Sequence, residues 1–176
     1  MAIPALAPAW VTTRWFNTDR PLALAGLRGR VVALHAFQML CPGCVQEGIP
    51  QARRLAQMFD PAQVAVIGLH SVFEHHAVMN EAALAVFISE YRLGFPIGID
   101  APGVAGPLPQ TMAAYGMRGT PTLILIDAEG FLRKHSLGVE PDLQVGADIG
   151  RLLAERERGG SGPAAMPGPS NLGRTP

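Results

Sequence analysis

The sequence lacks the features that would tie a protein to a charged or lipid partner. Its 14 basic and 14 acidic side chains cancel to a formal net charge of +0, and neither sign gathers in a run. A nucleic acid or an anionic membrane surface is therefore excluded as the main partner. Lysine is nearly absent, Lys134 being the only one. No apolar run is long enough to span a bilayer, so no membrane partner is expected. Residues 1–10 hold Pro4 and Pro8, carry no early positive charge and lack the apolar stretch of a signal peptide. The expectation is a soluble, cytoplasmic protein.

Cysteine is scarce as well. The only two, Cys41 and Cys44, stand three apart, too close to staple a fold by closing a long loop. The pair reads as chemistry and not as scaffolding.

What is present suits one globular domain. Apolar residues make up 48% of the 176 positions, enough for a single core, and fall in clusters. Residues 1–158 are expected to form that domain, with 1–30 as an N-terminal extension. There Trp10, Trp15, Phe16 and Leu22 would lie against the core as irregular chain or a short hairpin. Residues 159–176 contain nine Gly or Pro and few large apolar groups, so a disordered tail is expected.

Between these ends, short β-branched runs alternate with longer helical patterns, which predicts an α/β fold with helices on both faces of a sheet. Residues 31–37, 64–70 and 122–127 read as buried strands. Residues 46–59 and 77–93 read as helices, the second with Met79, Ala83, Phe87 and Tyr91 four apart on one face. Asp127-Ala128-Glu129-Gly130 predicts a tight turn into a strand over 131–136, and 141–156 a closing helix with Pro141 in its first turn.

Cys41 and Cys44 follow an apolar strand and open a helix. A sulfur there meets unpaired backbone N–H groups and the positive end of the helix dipole, which favours thiolate. Cys41, nearer the exposed end, is the expected nucleophile. Cys44, one turn further in, would resolve the mixed disulfide. A zinc site is the competing use of such a pair, but no second cysteine pair completes it. No metal or cofactor is expected.

These residues resemble the thioredoxin superfamily, in particular its TlpA-like and redoxin branch, over about 15–153. The N-terminal approach Trp15-Phe16-Asn17-Thr18 and the motif Arg118-Gly119-Thr120-Pro121-Thr122 carry the likeness. The resemblance implies a thioredoxin-like fold, a central mixed sheet flanked by helices, with a helix-strand insertion over about 70–100 as in TlpA-like and peroxiredoxin-like proteins. It further implies a cis Pro121 facing the cysteines and a Thr120 backbone able to pair with an extended substrate. Leu40, Pro42 and Gly43 would complete the substrate-facing surface. Glu47 matches a position where TlpA-like proteins often carry a proton-transferring Glu; an acid favoured by the helix dipole is the alternative. His35 stands where thioredoxins keep a buried Asp, and could take the Cys44 proton or be a core histidine. Two departures are Leu40 in place of the usual Trp and the order Pro-Gly between the cysteines.

The function implied is thiol:disulfide exchange, a dithiol reductase working through a mixed disulfide on Cys41 and Cys44. Its partners would be a disulfide-containing protein or a small thiol, with a separate electron donor and a monomer or weak dimer as the working form. Two alternatives use the same chain differently. In a peroxidase, Cys44 would attack peroxide and Cys41 resolve the sulfenic acid, with Arg118 the nearest arginine. In a non-enzymatic module, His70, His75 and His76 would help to hold a metal ion or partner.

Overall fold

A computed structural model describes residues 5–160. Its centre is a six-stranded mixed sheet in the order β1 (Thr12–Phe16), β4 (Ile97–Asp100), β3 (Val64–His70), β2 (Val31–Phe37), β5 (Thr122–Ile126) and β6 (Leu132–Leu137). The two middle strands, β2 (Val31–Phe37) and β3 (Val64–His70), are buried at every position and run parallel. Their largely apolar runs, broken mainly by His35 and His70, make them strands covered on both faces. β5 (Thr122–Ile126) lies antiparallel to β2, and β6 (Leu132–Leu137) returns antiparallel to β5. Gly130, at φ 87, makes the turn between them, and its N–H donates to Asp127 O.

The expected insertion is present as α2 (Glu81–Glu90) and β4 (Ile97–Asp100), the latter parallel to β3. α2 is shorter than predicted. Asn80 caps it by accepting from Ala83 N–H, so 77–80 stay outside. Its buried face is centred on Leu84 and Ile88, one position round from the predicted stripe; Tyr91 is exposed.

β1 (Thr12–Phe16) corrects the reading of 1–30 as irregular chain or a hairpin. It pairs antiparallel with β4, more than eighty residues away, so no local pattern could announce it. The helix expected over 46–59 begins earlier. Helical backbone starts at Pro42, passes through a π-helical turn (Cys44–Gly48) and continues as α1 (Ile49–Met58). Pro50 has no N–H for the usual bond four residues back, which explains the wider turn. A 3-10 turn (Leu24–Leu27) and α3 (Gln110–Ala114) were not expected.

Two cores result. One face of the sheet packs Ala52 and Leu55 of α1, Leu84 of α2, and Ile149 and Leu152 of α4 (Asp142–Gly160) over Ala33, Phe37 and Val66. The other face packs Leu24, Leu27, Met112 and Tyr115 over Leu34, Ile67 and Ile124, with Trp10 and Trp15 alongside. α4 starts one residue after the expected Pro141 and runs to Gly160; the remainder of the expected tail, 161–176, lies outside the described residues. Among the described residues no helix is long and apolar enough to cross a membrane.

Candidate active site

Strand β2 ends at Phe37 and the chain turns into the helix at Cys41. Cys41 is its N-cap: its carbonyl accepts the first helical bond from Val45 N–H at 3.0 Å, and its Sγ accepts from Cys44 N–H at 3.2 Å. A sulfur thus stands where a Ser or Asp oxygen usually caps a helix. Pro42, the first helical residue, loses nothing by lacking an N–H there. That backbone donor and the helix dipole both favour negative charge on Cys41 Sγ when the pair is reduced.

Cys41 and Cys44 are joined as a disulfide, with Cα atoms 5.2 Å apart. Their environments differ. Cys41 is half-buried, whereas Cys44 is fully buried at 0% exposure, under α1.

The Thr120–Pro121 peptide is cis, and its loop sits against the pair: Cys41 Sγ lies 3.4 Å from Thr120 O. Pro121 is seated on two glycines. A Cβ on Gly43 would lie 3.4 Å from Pro121 Cδ, and one on Gly48 would come within 3.1 Å of Pro121 Cβ. Gly48 was missed in the sequence, although a glycine inside a helical pattern was the available sign. The loop is held from behind by Gly138 N–H, which donates to Pro121 O, and by Thr122 Oγ1, which donates to Gly119 O.

Gln38 was also missed. It is buried, its carbonyl accepts from Cys41 N–H, and its side-chain oxygen accepts from Phe73 N–H at 3.3 Å. It fastens the loop 71–76 beside the cysteine turn. Leu40 and Pro42 are exposed next to the disulfide, and Leu137 and Val139 add further exposed apolar surface, with Leu137 Cδ1 near Gly119.

His35 shares the face of β2 that carries Ala33 and Phe37, the face on which Cys44 is packed. It is buried, its Nε2 has no hydrogen-bond partner, and burial lowers its pKa from 6.5 to about 4. An imidazole so reluctant to charge is a poor acceptor for a thiol proton. Glu47 is exposed and borders a shallow depression with Arg54, Glu140 and Asp142. The burial that a proton-shuttling carboxylate requires is not met there. Arg118 is exposed.

The three histidines weighed as ligands separate. His70 is buried against Phe37, its pKa also lowered by burial to about 4, while His75 and His76 are exposed. Among the described residues no three His, Cys, Asp or Glu side chains form a metal-holding group.

The fold and the capped cysteine pair facing a cis-proline define a thioredoxin-like redox protein. A family model for Redoxin matches residues 5–149, and the chain belongs to the Redoxin family. It is similar to a crystal structure of a thioredoxin-like superfamily protein, with 52% identity, a TM-score of 0.82, and coverage of 84% of this chain and 96% of that one. A thiol-disulfide isomerase from Corynebacterium glutamicum is 45% identical, with a TM-score of 0.79 and coverage of 84% and 97%. Thiol-disulfide oxidoreductase ResA of Halalkalibacterium halodurans is 32% identical over 78% of this chain and 82% of its own length. Protein DipZ of Mycobacterium bovis is 29% identical over 90% of this chain, which spans only 21% of DipZ.

Proposed function

We propose that this protein is a thiol-disulfide oxidoreductase in which Cys41 attacks and Cys44 resolves. The observation that carries the assignment is the difference in exposure between the two sulfurs, together with the Cys44 N–H aimed at Cys41 Sγ. In the reduced protein the Cys41 thiolate attacks one sulfur of a substrate disulfide. The substrate S–S bond breaks, and the departing thiolate takes a proton from solvent. Cys44, deprotonated in turn, attacks Cys41 Sγ; the mixed disulfide breaks and the second substrate thiol leaves. The substrate gains two electrons and the Cys41–Cys44 pair loses them. A separate dithiol donor then restores the reduced pair.

Substrate docking is assigned to Leu40, Pro42, Gly43 and the Thr120 backbone. The supporting feature is the exposure of Leu40 and Pro42 beside Cys41, with Gly43 and Thr120 half-buried around it. An extended, apolar segment of a disulfide-containing protein fits that surface better than a charged one. In a reducing compartment an exposed dithiol is held reduced and donates electrons. His35 is assigned a neutral, space-filling place beneath the pair, in keeping with its lowered pKa. Glu47 is assigned the helix-end acid, in keeping with its exposure and its place in the first turn.

The peroxidase alternative needs Cys44 Sγ open to peroxide and an arginine beside it. Cys44 is fully buried and Arg118 exposed, which favours exchange over peroxide reduction. Parallel assays separate the two. Reduced protein is expected to reduce insulin disulfides with a dithiol donor and to consume no hydrogen peroxide; sustained peroxide turnover without insulin reduction would reverse the assignment.

A further inference from the structure

At the end of the sheet away from the disulfide lies a cavity of about 500 Å³, a volume typical of small-ligand sites. Its walls are apolar: Leu27 and Phe59 from two connecting segments, Ala56 from α1, Phe95, and Val66 and Ile67 from β3. Three arginines, Arg30, Arg53 and Arg92, line it, and no carboxylate does. The nearest acid in sequence, Asp60, is engaged in its own turn, with Oδ1 accepting from Ala62 N–H.

The floor of this cavity is a short piece of unpaired strand edge. Gly68 N–H donates to Pro96 O, so the even-numbered residues of β3 direct their backbone groups toward β4. The ladder begins only at Gly68 and Ile97, since Pro96 has no N–H to offer Val66 O. Val64 N–H donates to Asp60 O, which leaves Val66 N–H and C=O facing the cavity without a strand partner. The chain itself closes both ends of this edge, through the turn at 60–63 and through Pro96. There is room for a small molecule and none for an added strand.

Arg92 marks the site from the backbone as well. It follows α2 at φ 50, in a Schellman-type ending where Leu93 N–H donates to Ile88 O and Arg92 N–H to Ser89 O. Glycine is the favoured residue at that left-handed position, and a side chain there is strained. The chain nevertheless keeps an arginine at it, on the cavity wall.

We propose that this cavity binds a small organic anion with an apolar body, an aryl or medium-chain acyl group ending in a carboxylate or sulfonate. The apolar walls take the body, while Arg53 and Arg92, for which no carboxylate partner is found among the described residues, take the charge. Arg30 reaches only Pro61 O and Gly26 O, at 3.4 and 3.5 Å, and can turn toward a ligand. The proposal is independent of the redox assignment, since no lining residue belongs to the cysteine site.

The test is fluorescence titration of the full chain with 8-anilinonaphthalene-1-sulfonate at neutral pH, with octanoate as competitor. Saturable binding at one site, displaced by octanoate, is expected. Arg92→Gly removes a charge while relieving the backbone, so it should raise thermal stability and yet weaken binding. Combined with Arg53→Gln it should weaken binding roughly tenfold, or about 1.4 kcal/mol. Ala56→Trp, which fills the cavity, should abolish binding. Insulin reduction should stay unchanged in all three. No saturable binding, equal affinity in the arginine variants, or binding that survives Ala56→Trp would each overturn the proposal.

Discussion

The two ends of β2 and β3 carry opposite chemistry. At their carboxyl ends lie two sulfurs, a cis-proline, two buried imidazoles and exposed apolar side chains. At their amino ends three arginines ring an apolar cavity. The first end is built by local sequence, a strand running into a helix whose cap is a cysteine. The second is assembled from residues 30, 53 and 92, which meet only through the fold. Redox chemistry here needs a fixed backbone donor and a shielded second sulfur, while anion binding needs converging charge. The same pair of parallel strands supplies a platform for each.

Variants that respect this division should change one end and spare the other. The largest effect is expected for Pro121→Ala. It removes the ring seated on Gly43 and Gly48 beside Cys41 and should lower insulin reduction by roughly 10²-fold, as misplacement at a reacting centre does. Anilinonaphthalenesulfonate binding should be unaffected. A loss of both functions together would show that the two ends are coupled.

Next comes the pH dependence of stability. His35 and His70 have folded pKa values lowered from 6.5 to about 4. The unfolded chain therefore takes up protons first as pH falls. Stability should hold above about pH 6.5 and decline down to about pH 4, by up to roughly 3 kcal/mol per histidine. Urea unfolding across this range checks it, and His70→Phe should remove part of the slope. An unchanged slope in that variant would contradict the assignment of His70.

A smaller effect is expected for Asp100→Ala. Asp100 is buried and accepts from Ser71 Oγ, Thr111 N–H and Met112 N–H, tying β4 to α3. Burial raises its pKa while these bonds oppose the rise. Its loss strands donors and should cost about 1–3 kcal/mol in chemical unfolding, with turnover preserved at low temperature. Smallest should be Leu40→Ser: Leu40 is 59% exposed, so stability should stay within about 0.5 kcal/mol of the parent. KM for a protein disulfide should rise and kcat hold, which would place Leu40 on the docking surface.

Much of the catalytic end was legible because its signals are local. The buried strands announce themselves as largely apolar runs, and Cys-Pro-Gly-Cys and Thr-Pro are contiguous motifs. What could not be read depends on distant partners. β1 exists because β4 pairs with it. Gly48 matters because Pro121 comes to rest on it, and Gln38 because the loop 71–76 folds back over the cysteine turn. For His35 and Glu47 the sequence left two roles open each, and burial, which needs the folded surroundings, decides between them. Pro50 was visible throughout; its consequence, a π-helical turn beneath the cysteines, follows from a missing N–H that periodicity does not register.

Trapping the exchange intermediate distinguishes the two sulfurs. Cys44→Ser and Cys41→Ser proteins are incubated, reduced, with a disulfide-bonded peptide and analysed by intact mass spectrometry. Cys44→Ser is expected to accumulate a mixed disulfide through Cys41, while Cys41→Ser stays unmodified because Cys44 is buried. Rapid adduct formation on Cys44 in the Cys41→Ser protein, with none on Cys41 in the other, would contradict it.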